Sequence, residues 1–150
     1  MQQAEATTNG IECVKVLSVS PFEDDHVCLQ TIIGHSRWTL FKADNYTVAQ
    51  RILRQHDISV VLCERDAKPG EWTDLLDFVN DRSQRPSVIV VSRLADERLW
   101  AEALNLGAWD VLGKPFDRNE VLRSVKAAWQ HWHNQIAVHV GTLKAMRAAS

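Results

Sequence analysis

Cys63-Glu64-Arg65-Asp66 follows an apolar run at residues 58–62 and sets a thiol, two carboxylates and a guanidinium in four consecutive positions. A carboxylate at the end of a strand can act as a general acid or base, or accept a transferred group. A thiol there becomes a nucleophile only beside a cation or helix N-terminus, with a base in reach. His56 falls at the opposite end of the same run, so Cys63 reads as a small buried apolar side chain. Ser20-Pro21, Ser92 and Gly113-Lys114 also stand where apolar runs end, and they add hydroxyls and an ammonium. Among the six histidines only His131 and His133 are close in sequence, and two residues apart on a helix they face different directions, which argues against chelation. Cys13, Cys28 and Cys63 form no CxxC pair, and Gly70, Gly107 and Gly113 compose no phosphate-cradling loop.

The elements that must hold these groups can be read from the apolar pattern. The runs "CVKVLSV" (13–19), "ISVVLC" (58–63), "SVIVV" (87–91) and "DVL" (110–112) are near-continuous Val, Ile and Leu, the pattern of strands covered on both faces. A weaker run, "WTLFKA" (38–43), makes a fifth. Helical patterns lie between them. Ser20-Pro21-Phe22-Glu23 reads as a cap, a proline at the first helical position and a capping-box glutamate, with Gly34 at the far end. Val48, Ile52 and Leu53 mark a second helix, and Leu75, Leu76 and Val79 a third. Residues 96–106 form a fourth, stopped by Gly107, and Asp117-Arg118-Asn119-Glu120 opens a fifth near residue 118. Strand and helix alternate five times, and right-handed crossovers then predict an α/β doubly wound parallel sheet, a three-layer α/β/α sandwich. Ligand sites in such sheets lie beyond the carboxyl ends of the strands, where Ser20, Pro21, Glu64 to Asp66, Ser92, Gly113 and Lys114 all fall.

Composition narrows the partners. The 150 residues carry 17 basic and 19 acidic side chains, for a net charge of −2, with 45% apolar content. That balance provides a full core but no electrostatic footprint for nucleic acid or an anionic membrane. No apolar stretch approaches the roughly 20 residues of a membrane span. Residues 1–11 are polar and read as a disordered lead-in, residues 12–133 as one domain, and residues 134–150 as a helical extension or tail. Three scattered cysteines suit a reducing cytoplasm.

The stretch "NLGAWDVLGKPFDRNEVLRSV", in this order of strand, turn and helix, resembles the end of a response-regulator receiver domain, the flavodoxin-like phosphoacceptor module of two-component signalling in bacteria. The resemblance spans about residues 12 to 133. It implies a lysine at Lys114 followed by a cis Pro115, and a hydroxyl at Ser92. The family's acidic pair for Mg²⁺ falls on Ser20 and Pro21, its aspartyl acceptor on Glu64, and its switch aromatic on Val111. Mg²⁺ takes oxygen ligands in near-octahedral geometry and usually needs one or two carboxylates. Ser20 and Pro21 supply none, although Asp24 or Asp25, one helical turn onward, could reach back. No metal or other cofactor is therefore expected. Glutamate also carries its oxygens more than about 1 Å farther out than aspartate, enough to spoil the positioning that phosphoryl transfer needs. Glu64 is left to pair with Lys114, to mimic part of a phosphoaspartate's charge, or to stay solvated. Asp66, two residues on, is the alternative acceptor, with an Asx-type turn as its plain role.

The expected function is that of a degenerate receiver: a non-enzymatic signalling module in a phosphorelay, contacting a partner protein without conventional aspartyl phosphorylation. Six tryptophans include Trp100, Trp109, Trp129 and Trp132 in the last third of the chain. Tryptophans are favoured interface anchors, and in receivers the face of helix four, strand five and helix five is a usual contact surface for partners or a homodimer. Leu122, Val125, Trp129, Trp132, Ile136, His139, Leu143 and Met146 step by three and four along the last helix, a short heptad-like seam through which a second copy could pair.

Overall fold

The computed structural model describes residues 14–34, 36–67, 71–82 and 85–149, with the backbone alone at 139, 140 and 149. The lead-in 1–11, Cys13, His35 and the Lys68-Pro69-Gly70 stretch lie outside the described residues. The elements follow the expected alternation: β1 (Lys15–Val19), α1 (Glu23–Ile33), β2 (Thr39–Ala43), α2 (Tyr46–Gln55), β3 (Val60–Glu64), α3 (Trp72–Asn80), β4 (Ser87–Ser92), α4 (Glu97–Asn105), β5 (Asp110–Gly113) and α5 (Arg118–Ala149). All strand pairs are parallel, and their order is β2-β1-β3-β4-β5. This is the flavodoxin-like doubly wound sheet.

Period-two alternation divides the core between the two faces of the sheet. Leu17, Val19, Val61, Cys63, Val88 and Val90 face α2, α3 and α4. Val16, Val60, Leu62, Ile89, Val91 and Leu112 face α1 and α5. β1, β3 and β4 are buried on both faces almost throughout, which is why their sequences run apolar without alternation.

Side-chain caps begin α2, α4 and α5, and a capping box of Glu71 and Asp74 begins α3. Asn45 Oδ1 accepts from the Val48 amide at 3.0 Å, Asp96 Oδ1 from Leu99 at 2.9 Å, and Asp117 Oδ2 from Glu120 at 2.9 Å. The start of α1 departs from expectation. The helix begins at Glu23 behind Phe22, which makes no side-chain cap. The Ser20 hydroxyl instead accepts from the Phe22 amide at 3.1 Å and donates to Asp25 at 2.7 Å, so Ser20 and Pro21 shape the β1–α1 turn. Gly107 stops α4 with φ at 101°, a left-handed conformation that costs a side chain about 1–2 kcal/mol. Its amide bonds Leu104 O at 3.1 Å, and the Ala108 amide bonds Ala103 O at 2.9 Å, so the helix's last carbonyls are satisfied.

α5 spans 32 residues, about 48 Å of helix. Val121, Val125, Ala128 and Trp129 bury its first half against the sheet. After Trp132, Ile136 is the only described side chain that stays even partly buried.

Candidate functional site

The alternation that builds the core also aims the site. Val60 and Leu62 face α1 and α5, so Glu64, next in the same parity, turns its carboxylate to that side. Ser18 follows Val16 in the same way on β1, and Ser20 lies one residue past the strand's end. α1 then carries Asp25 and His26 back over the strand ends. Its buried stripe of Leu29, Ile32 and Ile33, extended one turn toward the N-terminus, lands on these two residues. That extension is a signal in the sequence that singles out Asp25 over Asp24, which is exposed.

Lys114 completes the group from the end of β5. Its ammonium lies 2.5 Å from Glu64 Oε1 and 2.8 Å from Asp25 Oδ2, and the three side chains are 7%, 3% and 11% exposed. The second Glu64 oxygen accepts from the Asp66 amide at 2.5 Å. The Ser20 hydroxyl donates to the same Asp25 oxygen that the lysine holds. Phe22 closes the outer side, with its ring centroid 4.8 Å from the ammonium, a cation–π contact. Burial alone would lower the lysine's pKa, but the hydrogen bonds and charges of Asp25 and Glu64 outweigh it and hold the pKa above the usual lysine value. The result is a closed triad of two carboxylates bridged by one ammonium.

His26 supports the turn from beneath. Its Nδ1 lies 2.9 Å from Ser18 Oγ and its Nε2 2.9 Å from the Ser20 carbonyl. A carbonyl oxygen only accepts, so Nε2 carries the hydrogen, and in the neutral ring the Ser18 hydroxyl donates to Nδ1. Glu23, His26 and Asp44 bring three potential metal-ligating atoms within 4.8 Å of one another. The direction of the Nε2 lone pair, however, is taken by the hydrogen given to Ser20. Neither Phe22 nor His26 was foreseen as part of the site.

The remaining expected positions are distributed unevenly. Lys114 and Glu64 meet, and the Lys114–Pro115 peptide is cis. Ser92 is buried, but its hydroxyl accepts from the Leu94 amide at 3.1 Å and serves the β4–α4 turn. Its carbonyl accepts from the Lys114 amide at 3.1 Å and so positions the lysine through the backbone. Val111 is half-buried and packs against the core on the α4 side. The Asp66 side chain is exposed and contributes its backbone amide alone to the cluster. Cys63 is fully buried and its thiol is pushed up to about 12 by burial, a poor nucleophile.

The four tryptophans split into two pairs, a correction to their reading as one surface. Trp100 and Trp109 are 52% and 37% exposed, beside Leu106 at 40%. Trp129 and Trp132 turn inward because they continue the Val121–Val125 stripe of α5, and their indole nitrogens are buried without a partner among the described residues. His131 stacks on Trp109 with centroids 4.6 Å apart, and His133 on Trp129 at 5.0 Å, so the histidine pair diverges as its spacing implies.

Comparison with known proteins agrees with the fold. Residues 22–126 match the response regulator receiver domain, and the chain belongs to this family of two-component signalling modules. No curated protein matches it. Among solved structures, it is similar to the signal receiver domain of a Vibrio parahaemolyticus protein described as a LuxO repressor, at 17% identity and TM-score 0.78, covering 84% of this chain and 97% of that one. The receiver domain of an HD domain-containing protein from Pseudomonas fluorescens Pf-5 aligns at 24% identity and TM-score 0.77, covering 84% and 93%. The beryllofluoride-activated NtrC4 receiver domain dimer aligns at 22% identity and TM-score 0.73, covering 79% and 98%. At these identities the likeness is one of fold. Among the described residues no helix is long and apolar enough to cross a membrane.

Proposed function

We propose that this receiver is a degenerate one, a cytoplasmic and non-enzymatic signalling module that works by protein contact without conventional aspartyl phosphorylation. The observation that carries this reading is the triad. Both carboxylates nearest the expected cation position, those of Asp25 and Glu64, are committed to Lys114, and the positions of the family's acidic pair hold a hydroxyl and a proline. This donor set does not fit Mg²⁺, which would have to displace a buried ammonium and still find further oxygen ligands. Without that cation, phosphoryl transfer to a carboxylate loses the positive charge that offsets its developing negative charge. Glu64 is also held at both oxygens, by Lys114 and by the Asp66 amide, and each contact stabilises the carboxylate and weakens it as a nucleophile. The outward face carrying Trp100, Leu106 and Trp109 supplies a contact surface for a signalling partner or a second copy.

Incubation with acetyl phosphate and Mg²⁺, followed by intact-mass measurement, should show no phosphoryl adduct. A stable adduct that disappears in Asp66→Asn would replace this reading with a phosphorelay receiver using an atypical acceptor.

A further inference from the structure

α5, together with Ser36 and Trp38 ahead of β2, lines an open groove of about 650 Å³ whose exposed surface is mostly apolar. Trp38, Leu122 and Ala127 supply its apolar side chains, Ser36 and Gln130 add polar ones, and the exposed Arg123 and Lys126 border it. We propose that this groove docks an acidic amphipathic helix of a partner protein. Leu122 adjoins the inward stripe that carries Trp129 and Trp132, whereas Arg123, Lys126, Ala127 and Gln130 are exposed, and no residue lining the groove belongs to the triad. The proposal therefore holds whether or not the domain accepts phosphate.

Shape and charge both point to this occupant. Leu122, Lys126 and Gln130 recur every four residues along α5, so the groove runs parallel to the helix for about 12 Å. Ala127 is small and exposed, which lets a second helix approach closely and seat its apolar side chains on Trp38 and Leu122. The same side of α5 continues past the domain through Ala137 and Gly141 to Lys144, and a Cβ at Gly141 would meet nothing within 4 Å. An occupant longer than the groove can thus keep lying along α5. Neither Arg123 nor Lys126 has an ion pair among the described residues. α5 carries Arg118, Arg123, Lys126, Lys144 and Arg147 against the single acid Glu120, although the whole chain is net −2. Like charges would oppose a second copy's α5 in this groove, whereas glutamates bordering an apolar stripe would meet both rim cations.

The test uses the full chain and a fluorescently labelled synthetic helical peptide with leucines on one face bordered by glutamates, alongside a twin with lysines in place of the glutamates. Anisotropy should show the glutamate peptide binding at least tenfold more tightly than its twin, and less tightly as salt rises. The double variant Arg123→Glu, Lys126→Glu changes exposed side chains only and should reverse that preference. Ala127→Trp should weaken both peptides by filling the groove. Equal affinity for the two peptides, no binding of the glutamate peptide, or a preference unchanged by charge reversal would overturn the proposal. Binding seen only after removal of residues 1–11 would give the groove to the chain's own N-terminus and overturn the partner assignment. The acetyl phosphate experiment is unaffected by any of these outcomes, so the two readings fail separately.

Discussion

At the scale of single residues, Lys114 is the side chain on which the strand-end cluster depends. Removing one member of a buried ion pair leaves an uncompensated charge and costs about 3–5 kcal/mol, and here two carboxylates would be left facing each other. Lys114→Met should therefore destabilise the protein by about 3 kcal/mol or more in urea unfolding. The dependence on pH has a definite sign. Because the folded pKa is raised, the lysine's contribution is present in full below the unfolded value of about 10.4 and is lost as pH rises through the folded value. The stability difference between wild type and variant should stay level from pH 7 to 9 and shrink above about pH 10.4; a difference that grew there would contradict the triad. Much of this cluster could be read from sequence. Glu64 and Lys114 meet because both follow apolar runs in a parallel sheet, and strand ends converge. Asp25 is singled out over Asp24 by following the stripe of Leu29, Ile32 and Ile33 one turn back, a step that depends on where α1 begins. The Ser20 hydroxyl decides that, by bonding to Asp25 and Phe22 where a cap was expected. Phe22 and His26 are not legible in the sequence, because an aromatic and an imidazole beside a turn carry no spacing signal of their own.

Whole elements were easier to anticipate than their ends. The five strands and five helices lie where apolar periodicity puts them, because strands buried on both faces have few alternatives to an uninterrupted Val, Ile and Leu sequence. Boundaries moved by a few residues wherever a turn recruited a side chain. The end of α4 is the clearest case of one residue setting a boundary. Gly107 holds φ at 101°, and an added Cβ would meet the Asn80 side chain at 3.3 Å. Gly107→Ala should cost about 1–2 kcal/mol of stability with little change in the m-value of the urea transition, since the surface exposed on unfolding stays the same. A variant as stable as wild type would show that the α4–β5 turn adapts.

For the molecule as a whole, the inward turn of Trp129 and Trp132 means that the apolar stripe of α5 begins inside the domain and runs out of it. Leu143 and Met146 lie in that stripe at 49% and 66% exposed, with no sheet beneath them. If the stripe pairs with a second copy, sedimentation velocity should show the full chain associating more strongly than residues 1–134; an unchanged mass would assign the extension no part in self-association. The seam itself was visible in sequence, but which tryptophans remain outside was not, because that depends on where the sheet ends beneath the helix. The length of α5 has a mechanical consequence. The stretch from Ile136 onward is a stiff rod of about 20 Å clamped at one end by packed side chains. A tilt of about 10° at the clamp would swing its tip by about 3–4 Å, so rearrangements too small to remodel the sheet become displacements that whatever grips the far end can sense.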